Sequence, residues 1–374
     1  MLNLDEIRQE FPVVERWLYL NHAAVSPISR RVRTTIEGFV QDHHENAAMH
    51  TREWEARHDA VRHLAARLVN AGPDEIAFVK NTSEGLSFAA NGIEWKHGDN
   101  VVITNVEFPA NVYPWLNLQR RGVEVRFVAE RSGRVAVDDI RAAVDARTRA
   151  VSLSLVEYGN GFRNDIASIG ALCREHGILF IVDGIQALGA LQFDLKETPV
   201  DILTADAHKW LMGPEGIGMF YCSREVMDRI TLYEVGWHTV AHAEDYATYD
   251  FTLAPDARRF ECGTLNTVGI YGLGAALELI LDVGIEVIEE RLRVLTDGLI
   301  EGLRRKDYRI LSPRGDDEWS GIVTFASDRY SVQDLHKTLR SQNIITARRG
   351  GGVRVSPHYY NTEDELRRVV EALP

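Results

Sequence analysis

The run Ile178-Leu179-Phe180-Ile181-Val182 is unbroken by any polar residue. A strand that is apolar at every position must be covered on both faces. That is the environment of a central strand in a parallel sheet, not of a half-exposed antiparallel ribbon. The pattern around it agrees. Apolar stretches at Ile76–Val79, Val101–Ile103, Val123–Val128, Val151–Leu155, Asp201–Ala205 and Ile217–Tyr221 alternate with helix-like segments at 31–69, 84–93, 110–121, 138–145 and 166–176. Strand–helix alternation over this length predicts βαβ units and a mostly parallel sheet between helices, an α/β fold.

The pattern changes near residue 255. A long helical region at 268–306, broken near Gly284, is followed by strands at Ile322–Phe325, Ile344–Ala347 and Val353–Val355 and helices at 331–341 and 362–372. This predicts a smaller α+β domain. The expected division is a large domain over 15–255 and a small one built from 1–14 and 256–374. The polar stretch from Trp237 to Asp256 is the longest loop candidate, and loops of that length are often functional.

Composition narrows the function. Lys plus Arg number 42 against 55 Asp plus Glu, a formal net charge of −13 over 374 residues. That balance argues against nucleic acid, whose phosphates need cations, and against docking on an anionic membrane. No run reaches the roughly 18 apolar residues of a membrane span. Met1–Glu6 lacks the basic start and apolar core of a secretion signal. The three cysteines, Cys173, Cys222 and Cys262, are too few for a disulfide framework. A cytoplasmic location is the expectation.

Three stretches could carry chemistry. In Asp206-Ala207-His208-Lys209-Trp210-Leu211-Met212-Gly213-Pro214, a Lys follows an apolar strand at the edge where α/β sheets bind ligands. Lysine forms Schiff bases with carbonyl cofactors when its amine is unprotonated; a surface lysine on a turn is the plainer alternative. In Ile181-Val182-Asp183-Gly184-Ile185-Gln186, an acid ends the most apolar strand. A buried carboxylate needs a charged partner, and the protonated pyridine nitrogen of pyridoxal phosphate is one. Gln186 could reach the ring hydroxyl. Asp183 equally suits the cap of a following helix. In Lys80-Asn81-Thr82-Ser83-Glu84-Gly85, hydroxyls sit where a strand gives way to a helix, a place that suits a phosphate or an ordinary N-cap.

Taken together, these stretches resemble the class V aminotransferase family of fold-type-I pyridoxal-phosphate enzymes, which includes cysteine desulfurases, kynureninases and isopenicillin N epimerase-like proteins. The resemblance runs from Tyr19-Leu20-Asn21-His22-Ala23-Ala24 to the C-terminal helix and includes Arg259-Phe260-Glu261-Cys262-Gly263-Thr264-Leu265-Asn266. It implies a seven-stranded, mostly parallel sheet in the large domain. It implies pyridoxal 5'-phosphate joined to Lys209, with Asp183 under the ring nitrogen and Gln186 on the ring oxygen. Thr82, Ser83 and His208 would lie at the phosphate. Thr264 would reach the phosphate of a neighbouring subunit, so a homodimer is implied. Arg354 would clamp the carboxylate of a small amino-acid substrate. Asn21, His22, Tyr158 and Arg163 are expected on the substrate side, with Asn160 beside them.

The chain departs from the desulfurases. Phe108, in Val106-Glu107-Phe108-Pro109-Ala110-Asn111, stands where they carry a ring-stacking, proton-transferring histidine. Phenylalanine stacks but moves no proton, which leaves proton transfer to Lys209 or another group. Their cysteine-bearing loop is reduced here to Arg348-Arg349-Gly350-Gly351-Gly352. Asp206 stands in place of a phosphate-binding serine, and Tyr158 in place of an asparagine. The expected activity is therefore aminotransfer or a C–S lyase-type elimination at Cα. Epimerisation and cysteine desulfurase or selenocysteine lyase-like chemistry are the alternatives, and an idle scaffold is the alternative of another class. No metal is expected: His43, His44, His50, His58 and His63 lack His-Glu-x-x-His spacing.

Overall fold

The computed structural model describes residues 3–374. The strands in chain order are β1 (Leu18–Tyr19), β2 (Ile76–Val79), β3 (Asn100–Thr104), β4 (Glu124–Val128), β5 (Thr148–Ser154), β6 (Leu179–Asp183), β7 (Ile202–Asp206), β8 (Gly218–Cys222), β9 (Arg309–Ile310), β10 (Val323–Ala326), β11 (Ile344–Ile345), β12 (Ala347–Arg349) and β13 (Gly352–Val355). Seven of them form one sheet in the order β2-β8-β7-β6-β5-β3-β4, in which only β8 runs against its neighbours. The apolar run at 178–182 is the centre of that sheet. Every residue of β6 is buried, with β5 and β7 alongside it in parallel register.

The second sheet has the order β12-β13-β10-β9 and is antiparallel throughout. Its far face carries Val323, Phe325, Val353 and Val355 into a core shared with Leu295, Leu299 and Leu303 of the helix Ile285–Arg305. Its other face, with Thr324 and Arg354, is turned toward the loop after β5: the Thr324 hydroxyl donates to the Gly159 carbonyl at 2.9 Å.

Packing crosses the expected division at both ends. β1 pairs in parallel with β11, and Leu18 and Leu20 lie in the small-domain core, so the N-terminal contribution to the small domain extends past residue 14. The helix Thr267–Val283 goes the other way. Its apolar residues are spread all round, and Ile270, Leu273 and Leu277 are buried in the same core as Val61 and Met219. Among the described residues no single helix is long and apolar enough to cross a membrane. The bent pair Thr267–Val283 and Ile285–Arg305 passes only by length and composition.

Two expected elements are broken by local chemistry. The helix expected at 110–121 is three short turns, Pro109–Asn111, Tyr113–Leu116 and Asn117–Arg121. Pro109 and Pro114 begin turns but cannot donate within a continuous helix. The region 31–69 is two helices, Arg30–Asn46 and Thr51–Val69, parted at Ala47, whose φ is 50°.

Candidate active site

The side chains that could carry chemistry gather at the C-terminal ends of the parallel strands, where open α/β sheets present ligand sites. β6 ends in Asp183, β7 leads through Asp206 to Lys209, β2 leads to Thr82, β3 to Phe108 and β5 to Tyr158. The N-terminal segment crosses this edge. The Ser26 N–H donates to the His208 carbonyl at 2.7 Å, and the Ala23 N–H donates to Ser356 Oγ at 3.1 Å. Residues 20–26 thus tie the lysine turn to β13.

Lys209 is 7% exposed. Burial lowers its amine from the ordinary 10.5 to about 8; Asp183 and Asp206 oppose that, while Arg354 and Arg349 add to it. Its Nζ lies 5.3 Å from the centre of the Phe108 ring. Phe108 in turn meets Tyr158 edge-on, with ring centres 5.2 Å apart. The lysine is therefore walled by aromatic surface on one side, where a flat ring could stack.

Asp183 is 1% exposed, and burial lifts its carboxyl to about 6 despite a hydrogen bond from the Ile185 N–H and the nearby Lys209 charge. That bond, 3.0 Å to Oδ1, is the N-cap-like contact the sequence allowed. It leaves most of the carboxylate's capacity unused. Gln186 is held at both ends of its amide: Nε2 donates to the Ala23 carbonyl at 3.0 Å, and Oε1 accepts from the Trp210 indole at 2.9 Å. Trp210, which sequence reasoning did not single out, fixes Gln186 from the residue next to Lys209.

Thr82 begins the helix Thr82–Gly92, and its buried Oγ1 accepts from the Asp206 N–H at 3.0 Å. Asn81 caps this helix by accepting from the Glu84 N–H at 2.9 Å. So Asn81, not Thr82 or Ser83, fills the capping role, and the hydroxyl of exposed Ser83 is spare. Asp206 sits 3.5 Å from His208 Nδ1, its Oδ1 is buried without a partner, and burial lifts its carboxyl to about 7. Burial also lowers His208.

Arg354 is 2% exposed. Its Nη1 donates to the Tyr158 carbonyl at 2.7 Å and its buried Nε has no partner. Burial lowers it to about 10. A buried guanidinium facing no acid is costly, so the position is made for an anion from outside the chain.

Other expected site residues are placed elsewhere. His22 is wholly buried, with Nδ1 on the Ser356 carbonyl at 2.8 Å and Nε2 on Tyr360 Oη at 2.7 Å, so both nitrogens are used and neither is free for a substrate. Burial lowers it well below the ordinary histidine value. Arg163 turns away, toward Glu289 at 3.4 Å. The Asn160 amide donates to the Gly133 carbonyl at 2.7 Å. Both are loop-fixing residues, and the expected substrate cluster reduces to Tyr158. Asn21 pairs with Ser356 along the backbone, and its buried Oδ1 has no partner. Thr264 is exposed and lines a separate cleft with Trp54, His58, Trp237 and His238.

Two buried acids also escaped the sequence reading. Glu107 accepts from the Ser154 N–H at 2.7 Å and the Ser154 hydroxyl at 2.6 Å. Glu157 accepts from the Asn164 amide at 2.9 Å, while its Oε2 is buried and unpaired. Burial and Asp183 push both carboxyls up, and Glu107 adds to the shift at Glu157. The available signal was weaker than the one that marked Asp183: each acid stands three residues past its apolar strand.

Known proteins share this fold. The family description "Aminotransferase class-V" matches residues 18–369. A probable cysteine desulfurase of Methanothermobacter thermautotrophicus is 30% identical, over 100% of this chain and 98% of its own. A cysteine desulfurase of Cronobacter sakazakii is 32% identical, over 99% of this chain and 97% of its own. The apo structure of a cysteine desulfurase from Thermococcus onnurineus superposes with a TM-score of 0.90 at 25% identity, covering 99% of this chain and 97% of that one.

Proposed function

The chain belongs to the class V aminotransferase family, and from that premise we propose that Lys209 is the amine that takes the aldehyde of pyridoxal phosphate and then moves the proton at Cα of an α-amino acid. It is a pyridoxal-phosphate enzyme, as the family implies. The observation that carries the assignment to this site is the burial of Lys209, just after β7, and Asp183, at the end of β6, at one sheet edge, with Lys209 Nζ 5.3 Å from the centre of the Phe108 ring; burial lowers the lysine to about 8. A lysine near pH 8 has a usable fraction of free amine at neutral pH.

The residues fit the cofactor. The buried Asp183 carboxylate lacks a cation of its own beyond the field of Lys209, and a pyridinium nitrogen would supply one. Thr82, Ser83 and the start of their helix suit the phosphate. Gln186, aimed by Trp210, has an N–H left for the ring oxygen. When bound, pyridoxal phosphate supplies an electron sink for the pair left at Cα. The chain does the rest. Lys209 takes the proton, Phe108 covers the lysine on one face, and Arg354 orients the substrate through its α-carboxylate.

Aminotransfer or C–S lyase-type elimination is the reaction these residues support. The relatives' names favour a second reading, cysteine desulfurase. Against it stand the positions of the thiols. Cys173 and Cys222 are buried, and burial pushes the Cys173 thiol up to about 12. The turn before Arg354 has no thiol. The homodimer reading draws support from exposed Thr264 and from Trp237, Tyr246, Tyr249 and Phe251, all exposed on the 237–256 loop. The three free cysteines suit a reducing cytoplasm.

The test is chemical. Borohydride should fix the cofactor to Lys209, and no adduct there refutes the assignment. An amino-acid screen that assays keto acid, ammonia and sulfide separately then distinguishes the reactions. Sulfur retained on a protein thiol would favour the desulfurase. Sedimentation of the loaded protein as a stable monomer would remove the role given to Thr264.

A further inference from the structure

β12 and β13 are joined by Gly350 and Gly351, whose φ angles are +57° and +76°. Two positive-φ residues make the tight hairpin turn whose twist matches the strands, and this fixes the register: Ala347 faces Arg354, and Arg349 faces Gly352. Side chains alternate along a strand, and directly opposed residues share a face. Arg349 therefore lies on the same face as Ala347 and Arg354, as a diagonal neighbour of Arg354. Such pairs sit about 7–8 Å apart at Cα, within reach of long side chains. Gly352 puts no side chain between them. The hairpin is pressed onto the substrate loop, because a Cβ on Gly350 would lie 2.3 Å from the Gly159 carbonyl oxygen.

Neither arginine has an acid. The Arg349 guanidinium donates to the Arg348 carbonyl at 2.8 Å, and the Arg354 guanidinium to the Tyr158 carbonyl at 2.7 Å. Among the described residues no carboxylate forms an ion pair with either, in a chain whose net charge is −13. Arg349 stands close enough to act on both Arg354 and Lys209. Two unpaired guanidinium groups on one face, beside the reactive lysine, are one more than a lone α-carboxylate needs.

We propose that the substrate is a dicarboxylic amino acid, with Arg354 holding the α-carboxylate and Arg349 the side-chain carboxylate. This rests on the reading of Lys209 as the cofactor amine. Arg349 is exposed, so the guanidinium adapts to the length of the side chain and contributes to specificity through a charge-assisted, forked contact.

The experiment compares acids with their neutral amides of the same shape. Aspartate against asparagine, and glutamate against glutamine, are titrated into the cofactor-loaded protein and followed by its visible spectrum. Calorimetry of succinate against succinamate gives a second readout that needs no reaction. The expected acid-over-amide preference is about tenfold or more, which corresponds to ~1.4 kcal/mol. R349Q should bring that ratio close to one. R354K should weaken acid and amide together and leave the ratio standing. High salt should shrink it, because Arg349 is solvent-facing. A wild-type ratio near one, or a preference that survives R349Q, overturns the proposal. Should borohydride leave no adduct on Lys209, the cofactor reading fails, and the succinate-to-succinamate ratio still decides the claim about the two arginines.

Discussion

Replacing Lys209 by methionine should make the cofactor-free protein more stable. Lys209 is 7% exposed, and burial lowers its amine from 10.5 to about 8. Each pKa unit is worth 1.36 kcal/mol, so holding the charged lysine in the folded protein costs about 3 kcal/mol. The sign follows from proton counting. Between pH 8 and 10.5 the unfolded chain binds the proton and the folded one does not, so wild-type stability rises with pH there. Below pH 8 both states are protonated and the full cost is present. Methionine keeps the apolar stem and removes the charge. K209M, freed of cofactor, should therefore exceed the wild type by about 3 kcal/mol at pH 7, and the advantage should fade as pH approaches 10.5. Denaturant unfolding of both proteins at pH 7 and pH 10 measures this. A variant no more stable than wild type at pH 7, or an advantage that does not change with pH, would refute the reasoning that the fold gives up stability to keep this amine reactive.

Three further outcomes follow from the same geometry. E157Q should gain stability over wild type as pH rises. The buried Glu157 carboxyl is pushed up by burial and by Glu107, so its stability contribution is present at low pH and lost as pH climbs through the raised value. Thermal unfolding across pH tests this, and a gap that narrows toward alkaline pH contradicts it. H22A should unfold more easily by about 1–3 kcal/mol, because it orphans the buried Tyr360 hydroxyl; the Ser356 carbonyl keeps the backbone N–H of residue 22 at 3.2 Å. Chemical denaturation reads that loss, and a neutral substitution would return His22 to the substrate side. W210F removes the indole that holds Gln186. It should cost about 1 kcal/mol and speed loss of cofactor on dialysis; unchanged retention would show that Gln186 needs no such support.

The sheet was legible because burial on two faces leaves a composition signal. Val182 and its neighbours had no alternative to the interior, and Asp183 stood out as the acid closing that run. The same logic pointed to Lys209. Glu107 and Glu157 stand three residues past β3 and β5 rather than at a strand end, and in the quoted stretch around Glu107 it was Phe108 that drew the comparison. His22 and Arg163 are turned away from the substrate side for another reason. Proximity in a motif says which residues come near a site, not which way a side chain turns. Tyr360 and Ser356, more than 330 positions away, decide the ring of His22. Glu289, on the helix Ile285–Arg305, decides the guanidinium of Arg163. An all-round apolar helix such as 267–283 reads alike whichever core receives it.

The two-glycine turn between β12 and β13 sets two things at once. It carries no thiol, and it brings Arg349 onto the face of Arg354. Backbone geometry resists altering it one residue at a time. A Cβ at Gly350 would lie 2.3 Å from the Gly159 carbonyl oxygen, and one at Gly352 would lie 2.4 Å from that of Phe325. Neither backbone atom can step aside cheaply. Only Gly351 has open space around it, and its φ of +76° costs a side chain about 1 kcal/mol of strain. G351C is thus the one substitution that sets a thiol at the tip of the hairpin without displacing neighbours. On the aminotransfer or elimination reading, with loop length rather than a thiol at the tip setting the reaction, G351C should fold, react with a thiol reagent, and still form no persulfide from cysteine, with the arginine pair undisturbed. A persulfide on the introduced thiol of that variant would show instead that the site needs only a thiol at the hairpin tip, and that the two arginines do not determine its chemistry.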